Sequence, residues 1–156
     1  YSPYKIHAVF RLLVPLTPPL GHSFHLELGS REKAPSKGSR IRVELECICV
    51  REQLEEDMLC FLHHPKELLR RYQPASLLDT LCTGSYLDLV KTVHWFQTLV
   101  RSTWKTLPEQ ENYCLTVLPS SRSCKLLLIS ASGVTLDIEV ILGVREDDWN
   151  IICSIE

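Results

Sequence analysis

Lys5-Ile6-His7-Ala8-Val9-Phe10-Arg11-Leu12-Leu13-Val14-Pro15 reads as an extended strand, judged from its β-branched and alternating residues. Positions two apart on a strand share a face, so Lys5 and His7 project together. Further along, Thr135-Leu136-Asp137-Ile138-Glu139-Val140 reads as another strand with Asp137 and Glu139 on one face. If the two strands are neighbours, cation meets carboxylate.

Working outward, strand patterns are expected at about Tyr4 to Leu13, Ser23 to Leu28 and Arg40 to Val50. Glu52, Glu55, Glu56 and Asp57 then crowd the start of a segment running toward His63, which suits acidic groups near a helix's positive end. Pro65 interrupts it, and Pro74 restarts a short helix through Leu81. The longest helix is expected to begin after Ser85, where Ser85-x-x-Asp88 fits a capping box, and to run to Leu107 ahead of Pro108. Leu89, Val93, Phe96, Val100, Trp104 and Leu107 recur at steps of three or four, giving an apolar stripe to bury. Strands resume at Asn112 to Leu118, Lys125 to Ile129, Thr135 to Leu142 and Asn150 to Ile155, with a turn at Ser130-Ala131-Ser132-Gly133. The expected fold class is α+β, a mixed sheet with helices packed against it.

At 156 residues, with 45% hydrophobic and 23% charged content, the chain suits one folded domain over 1–156. No apolar run approaches the roughly 20 residues of a spanning helix, and no basic-then-apolar leader opens the chain. The piece is expected to be soluble by itself. Its opening at Tyr1, directly into a strand pattern, suggests a fragment of a longer protein. A net charge of -2 argues against nucleic acid as a partner.

The Phe-basic-Leu-x-Val-Pro run at Phe10 to Pro15, together with Leu126 to Asp137, resembles the nucleotidyltransferase core shared by cyclic GMP-AMP synthase and the male-abnormal protein family. In active members of that group an acid-x-acid pair precedes this segment and a third acid follows on a later strand. By that resemblance the pair falls on Lys5 and His7, and the third acid on Asp137. Two-metal phosphoryl transfer needs clustered oxygen anions. A lysine ammonium cannot ligate a cation, so the resemblance implies a degenerate site at Lys5, His7 and Asp137, no catalytic residue and a pseudoenzyme.

Longer blocks fill the middle of the chain: Asp57 to Pro65, Leu81 to Asp88, Lys91 to Phe96 and Leu118 to Lys125. They resemble the inositol trisphosphate receptor-interacting protein-like family, which carries a male-abnormal-type domain, and with the end segments the resemblance covers nearly the whole chain. It implies a single-pass membrane protein whose anchor lies outside these residues. It also implies a protein partner, a membrane receptor or channel, and no cofactor.

Arg31, Lys33, Lys37, Arg40 and Arg42 flank Pro35 and Gly38 and are expected on a solvated loop. Their sharper reading is contact with anionic lipid headgroups, each basic residue contributing about 1 kcal/mol. Thr83-Gly84-Ser85-Tyr86 imitates the Gly-Ser element of nucleotidyltransferases, but no acid-x-acid strand follows, so it reads as a helix start.

Cys47 and Cys49, expected on one strand face, with Cys60 and His63, expected as helix neighbours, offer four ligands for structural zinc. The spacing departs from common fingers, and buried free thiols are preferred to a metal. The seven cysteines in core-like settings favour a reducing compartment. The histidines form no assignable triad, and the three tryptophans read as core or interface anchors.

The expected function is therefore a catalytically inactive interaction domain of a membrane-anchored protein that regulates a receptor or channel. The alternative is residual nucleotide binding or transfer through Asp137 and Glu139. A third reading, binding of nucleic acid or lipid through the basic loop, would carry strong salt dependence.

Overall fold

The computed structural model describes residues 6–27, 40–50, 58–120, 122–145 and 152–154. The opening stretch forms strand β1 (His7–Leu16), which lies parallel to the late strand β8 (Thr135–Arg145). Their register pairs His7 with Thr135, Val9 with Asp137 and Arg11 with Glu139, so His7 and Arg11 share one face with Asp137 and Glu139. On the other side of β8 lie β7 (Cys124–Ser130) and, past its end, β9 (Ile152–Ser154), both antiparallel. The outer strand β6 (Tyr113–Leu118) completes a mixed five-stranded sheet. Gly133, at φ +94°, closes the β7–β8 turn anticipated at Ser130 to Gly133.

A second, wholly antiparallel sheet runs in the order β2 (His22–Glu27), β3 (Arg40–Leu45), β5 (Tyr86–Leu87), β4 (Cys82–Thr83). The fold is α+β as expected, although with two sheets rather than one. Strand β3 stops at Leu45, short of the expected Val50, and Cys49 and Val50 already have helical backbone. The expected helix running to His63 is not found over its described part: residues 58–60 have no regular structure and 61–63 form a turn. Its acidic start at Glu52 to Asp57 lies outside the described residues.

Helix α1 (Lys66–Tyr72) begins on Pro65, where the missing N–H forfeits nothing, and α2 (Leu77–Thr80) is capped by Ser76, whose Oγ accepts from the Leu78 amide. The scaffold helix α3 spans Leu89–Trp104 and ends before the expected Leu107. Its cap is Asp88, not Ser85: the Asp88 carboxylate accepts from the Lys91 amide at 3.1 Å. Gly84 and Ser85 instead form the two-residue turn between β4 and β5, where Gly84 takes φ +65°, so this pair is a hairpin tip and not a helix start.

One core joins both sheets. Ile41 and Val43 of β3, Leu87 of β5, Val93 of α3, Leu126 of β7 and Val140, Leu142 and Val144 of β8 are all buried together. Leu89, Phe96 and Val100 of the α3 stripe pack against them, whereas Leu107 lies beyond the helix and is exposed. Among the described residues β1 has no neighbour beyond β8, and Val9, Phe10, Leu12 and Leu13 stay exposed along it. No described helix is long and apolar enough to cross a membrane.

Candidate functional site

Two groups of chemically capable side chains result. The first is the β1–β8 face. Glu139 accepts from Arg11 Nε at 3.0 Å on one oxygen and from Ser123 Oγ at 2.9 Å on the other. The Ser123 hydrogen bond first, against a smaller opposing effect of desolvation and with the help of the Arg11 charge, holds its carboxyl below the usual value. Asp137 has His7 Nε2 at 3.8 Å. Lys5 lies outside the described residues. This face therefore carries two carboxylates, each beside a basic side chain, and no third carboxylate joins them among the described residues.

The second group is the set of four residues that the sequence offered as ligands for zinc. Cys47, Cys49, Cys60 and His63 place one donor atom each within 4.8 Å of one another. Cys47 and Cys60 come from irregular backbone, Cys49 from a helical residue after β3 and His63 from a turn, in place of the expected strand and helix. Nor are they all buried thiols: Cys60 is fully buried, Cys49 half-buried, and Cys47 and His63 are exposed. The Ile48 amide donates to Cys60 Sγ at 3.4 Å, which ties the first pair of cysteines to the second segment, and the Glu46 amide donates to Gly21 O at 2.8 Å, which anchors the chain ahead of Cys47. Gln73 at the end of α1 clamps Leu59 through both its amide atoms, fixing the backbone beside Cys60.

Their ionisation is uneven. Burial pushes the Cys60 thiol up, but donation from the Ile48 and Leu62 amides and from His63 outweighs it and brings the group to about 6. Hydrogen bonding with Cys47, with desolvation and the neighbouring sulfurs adding to it, pushes Cys49 up to about 12. One sulfur thus ionises readily while its neighbour resists a second negative charge.

Of the basic residues, Arg31, Lys33 and Lys37 lie outside the described residues. Arg40 and Arg42 are on strand β3 and not on a loop. Arg42 donates to Glu27 at 2.6 Å and also pairs with Glu44, while Arg40 stacks 4.2 Å over the Tyr86 ring. Tyr86 in turn donates to Glu27 at 2.8 Å, and these bonds, Tyr86 first and Arg42 second, lower the Glu27 pKa. Both arginines are already engaged within the domain.

The architecture defines an α+β domain with an ion-paired strand face and a separate Cys3His donor cluster. No family model matches the chain. Curated relatives do. It is 38% identical over 143 residues to inositol 1,4,5-trisphosphate receptor-interacting protein-like 1 of Rattus norvegicus and of Mus musculus, covering 89% of this chain and 25% of each relative. The inositol 1,4,5-trisphosphate receptor-interacting protein of Homo sapiens is 29% identical over 153 residues, covering 90% of this chain and 27% of that protein. The chain is homologous to the inositol 1,4,5-trisphosphate receptor-interacting protein-like family, as its sequence blocks implied, and spans about a quarter of the length of these relatives.

Proposed function

We propose that this chain is a catalytically inactive, nucleotidyltransferase-like interaction domain within a larger membrane-anchored protein that regulates a receptor or channel. The relatives are named as receptor-interacting proteins, which supports a role in protein contact. The exposed apolar residues of β1 support it as well, because among the described residues β1 is an edge strand with uncovered aliphatic side chains, which is a ready contact surface.

The observation that carries the inactive reading is the occupancy of Glu139. A carboxylate whose two oxygens already receive Arg11 and Ser123 is a poor magnesium ligand, since the ion would have to displace a guanidinium that repels it. Asp137 alone, beside His7, does not make the anionic cluster that two-metal transfer requires. The test is thermal denaturation and product analysis with magnesium and nucleoside triphosphates. The expected result is an unchanged melting temperature and no product. Magnesium-dependent stabilisation lost in Asp137→Asn would establish the residual-nucleotide reading instead.

A further inference from the structure

We propose that Cys47, Cys49, Cys60 and His63 bind one zinc ion in a closed, structural Cys3His site. The inference rests first on distance. Zinc bonds of about 2.3 Å to sulfur and 2.0–2.1 Å to nitrogen, set at tetrahedral angles, place sulfur and nitrogen about 3.6 Å apart and two sulfurs about 3.8 Å apart. His63 Nδ1 is 3.4 Å from Cys47 Sγ, 3.1 Å from Cys49 Sγ and 3.3 Å from Cys60 Sγ, and no two donor atoms of the set exceed 4.8 Å. The cluster is already close to the size of a filled site.

Valence supplies the second argument. A single imidazole nitrogen offers either one N–H or one lone pair, so it can make one good hydrogen bond and not three. Three sulfurs gathered on Nδ1 leave at least two of those approaches unsatisfied by hydrogen bonding. A cation at the centre satisfies all four donors at once. Three sulfurs and one imidazole are a soft, four-coordinate set, which suits zinc over magnesium or calcium. With four protein ligands the coordination sphere has no open position, so the ion's role is structural.

The surroundings are consistent with a built site. Cys60 sits in the interior, its sulfur accepting from the Ile48 amide, while Gln73 holds Leu59 from both sides. Zinc would join the extension of β3 to the turn that leads into α1. The exposed positions of Cys47 and His63 give an ion a route from solvent.

Metal analysis and cobalt substitution of the whole chain decide the matter. Protein purified without added metal should carry close to one zinc ion per chain, and Cys114→Ser, an exposed change on β6, should keep it. Cobalt(II) loaded into the unaltered chain should give thiolate charge-transfer absorption and the intense visible bands of a tetrahedral ion. Cys60→Ser replaces a buried residue and risks misfolding, so the exposed Cys47→Ser carries the mutational arm: one of three thiolates is lost and charge-transfer intensity falls by about a third. Metal-free protein that yields no tetrahedral cobalt spectrum overturns the proposal, whether its three cysteines prove to be free thiols or to contain a disulfide. So does a cobalt spectrum indifferent to Cys47→Ser.

Discussion

Arg11 and Glu139 are in-register partners on parallel strands, and the guanidinium Nε reaches the carboxylate at 3.0 Å while Ser123 holds the other oxygen. Arg11 is 70% exposed, so solvent screens the ion pair and Arg11→Ala should change unfolding free energy by less than about 1 kcal/mol. The carboxyl should respond more clearly. Its pKa lies below the ordinary 4.5, with the Ser123 hydrogen bond the largest single cause and the Arg11 charge and hydrogen bond also lowering it, so NMR titration should find Glu139 moved upward by Ser123→Ala and by Arg11→Ala. Because the folded value is depressed, the associated stability is present above pH 4.5 and is lost as pH falls through the folded value. A Glu139 that titrates identically in all three proteins would contradict this account.

Ser85 was the expected start of the scaffold helix, and the structure makes Asp88, its expected capping-box partner, the cap itself. The Asp88 carboxylate accepts from the Lys91 amide and, at 2.7 Å, from Thr83 Oγ1. Removing it as Asp88→Ala should cost about 1 kcal/mol of stability in urea unfolding, the usual loss for an N-cap. Ser85→Ala, at the hairpin tip, should lie within about 0.5 kcal/mol of the parent. Equal losses at the two positions would restore the capping-box reading.

The contrast shows what local pattern can and cannot reveal. Strand β8 was legible because Leu136, Ile138 and Val140 alternate with Thr135, Asp137 and Glu139, β1 and β7 because each is a short aliphatic-rich run, and the α3 stripe because Val93, Phe96 and Val100 all face one core. The β4–β5 hairpin was not, since two-residue strands have no period to detect and a left-handed Gly84 turn looks like any Gly-Ser. The Cys-x-Cys and Cys-x-x-His pairs were visible, but their meeting depends on tertiary ties such as Glu46 to Gly21 and Gln73 to Leu59, which no spacing announces. Similarly, Arg40 and Arg42 looked like free loop charge because Glu27 and Tyr86 become their neighbours only when the second sheet forms.

Gly21 should tolerate no side chain. It turns the chain from β1 into β2 at φ +88°, a conformation unfavourable for residues with a Cβ, and an added Cβ would lie 3.2 Å from the Phe61 ring. Phe61 also meets His22 edge-on at 5.1 Å, so the ring cannot shift without disturbing a second contact. Gly21→Ala is expected to destabilise the domain by about 1–3 kcal/mol in denaturant unfolding. A loss under about 0.5 kcal/mol would mean that the turn relaxes freely.

His22 should make stability sensitive to mild acid. Its Nδ1 faces Leu20 O at 3.2 Å, while Nε2 accepts from the Leu77 amide at 3.2 Å and lies 2.8 Å from Ser76 Oγ. That arrangement requires a neutral ring, because a protonated Nε2 would point its hydrogen at the Leu77 donor. Burial lowers the folded pKa below the ordinary 6.5, outweighing the backbone carbonyls of Leu20 and Pro19 that would raise it. The unfolded chain therefore binds more protons in this range, and stability rises with pH. The contribution is whole above pH 6.5, declines as pH falls below that value, and is gone beneath the folded pKa. Melting temperatures of the parent and of His22→Gln, compared between about pH 7 and pH 5, should converge on acidification, since only the parent carries this histidine. Curves that remain parallel across that interval would show that the ring protonates without opposing the fold.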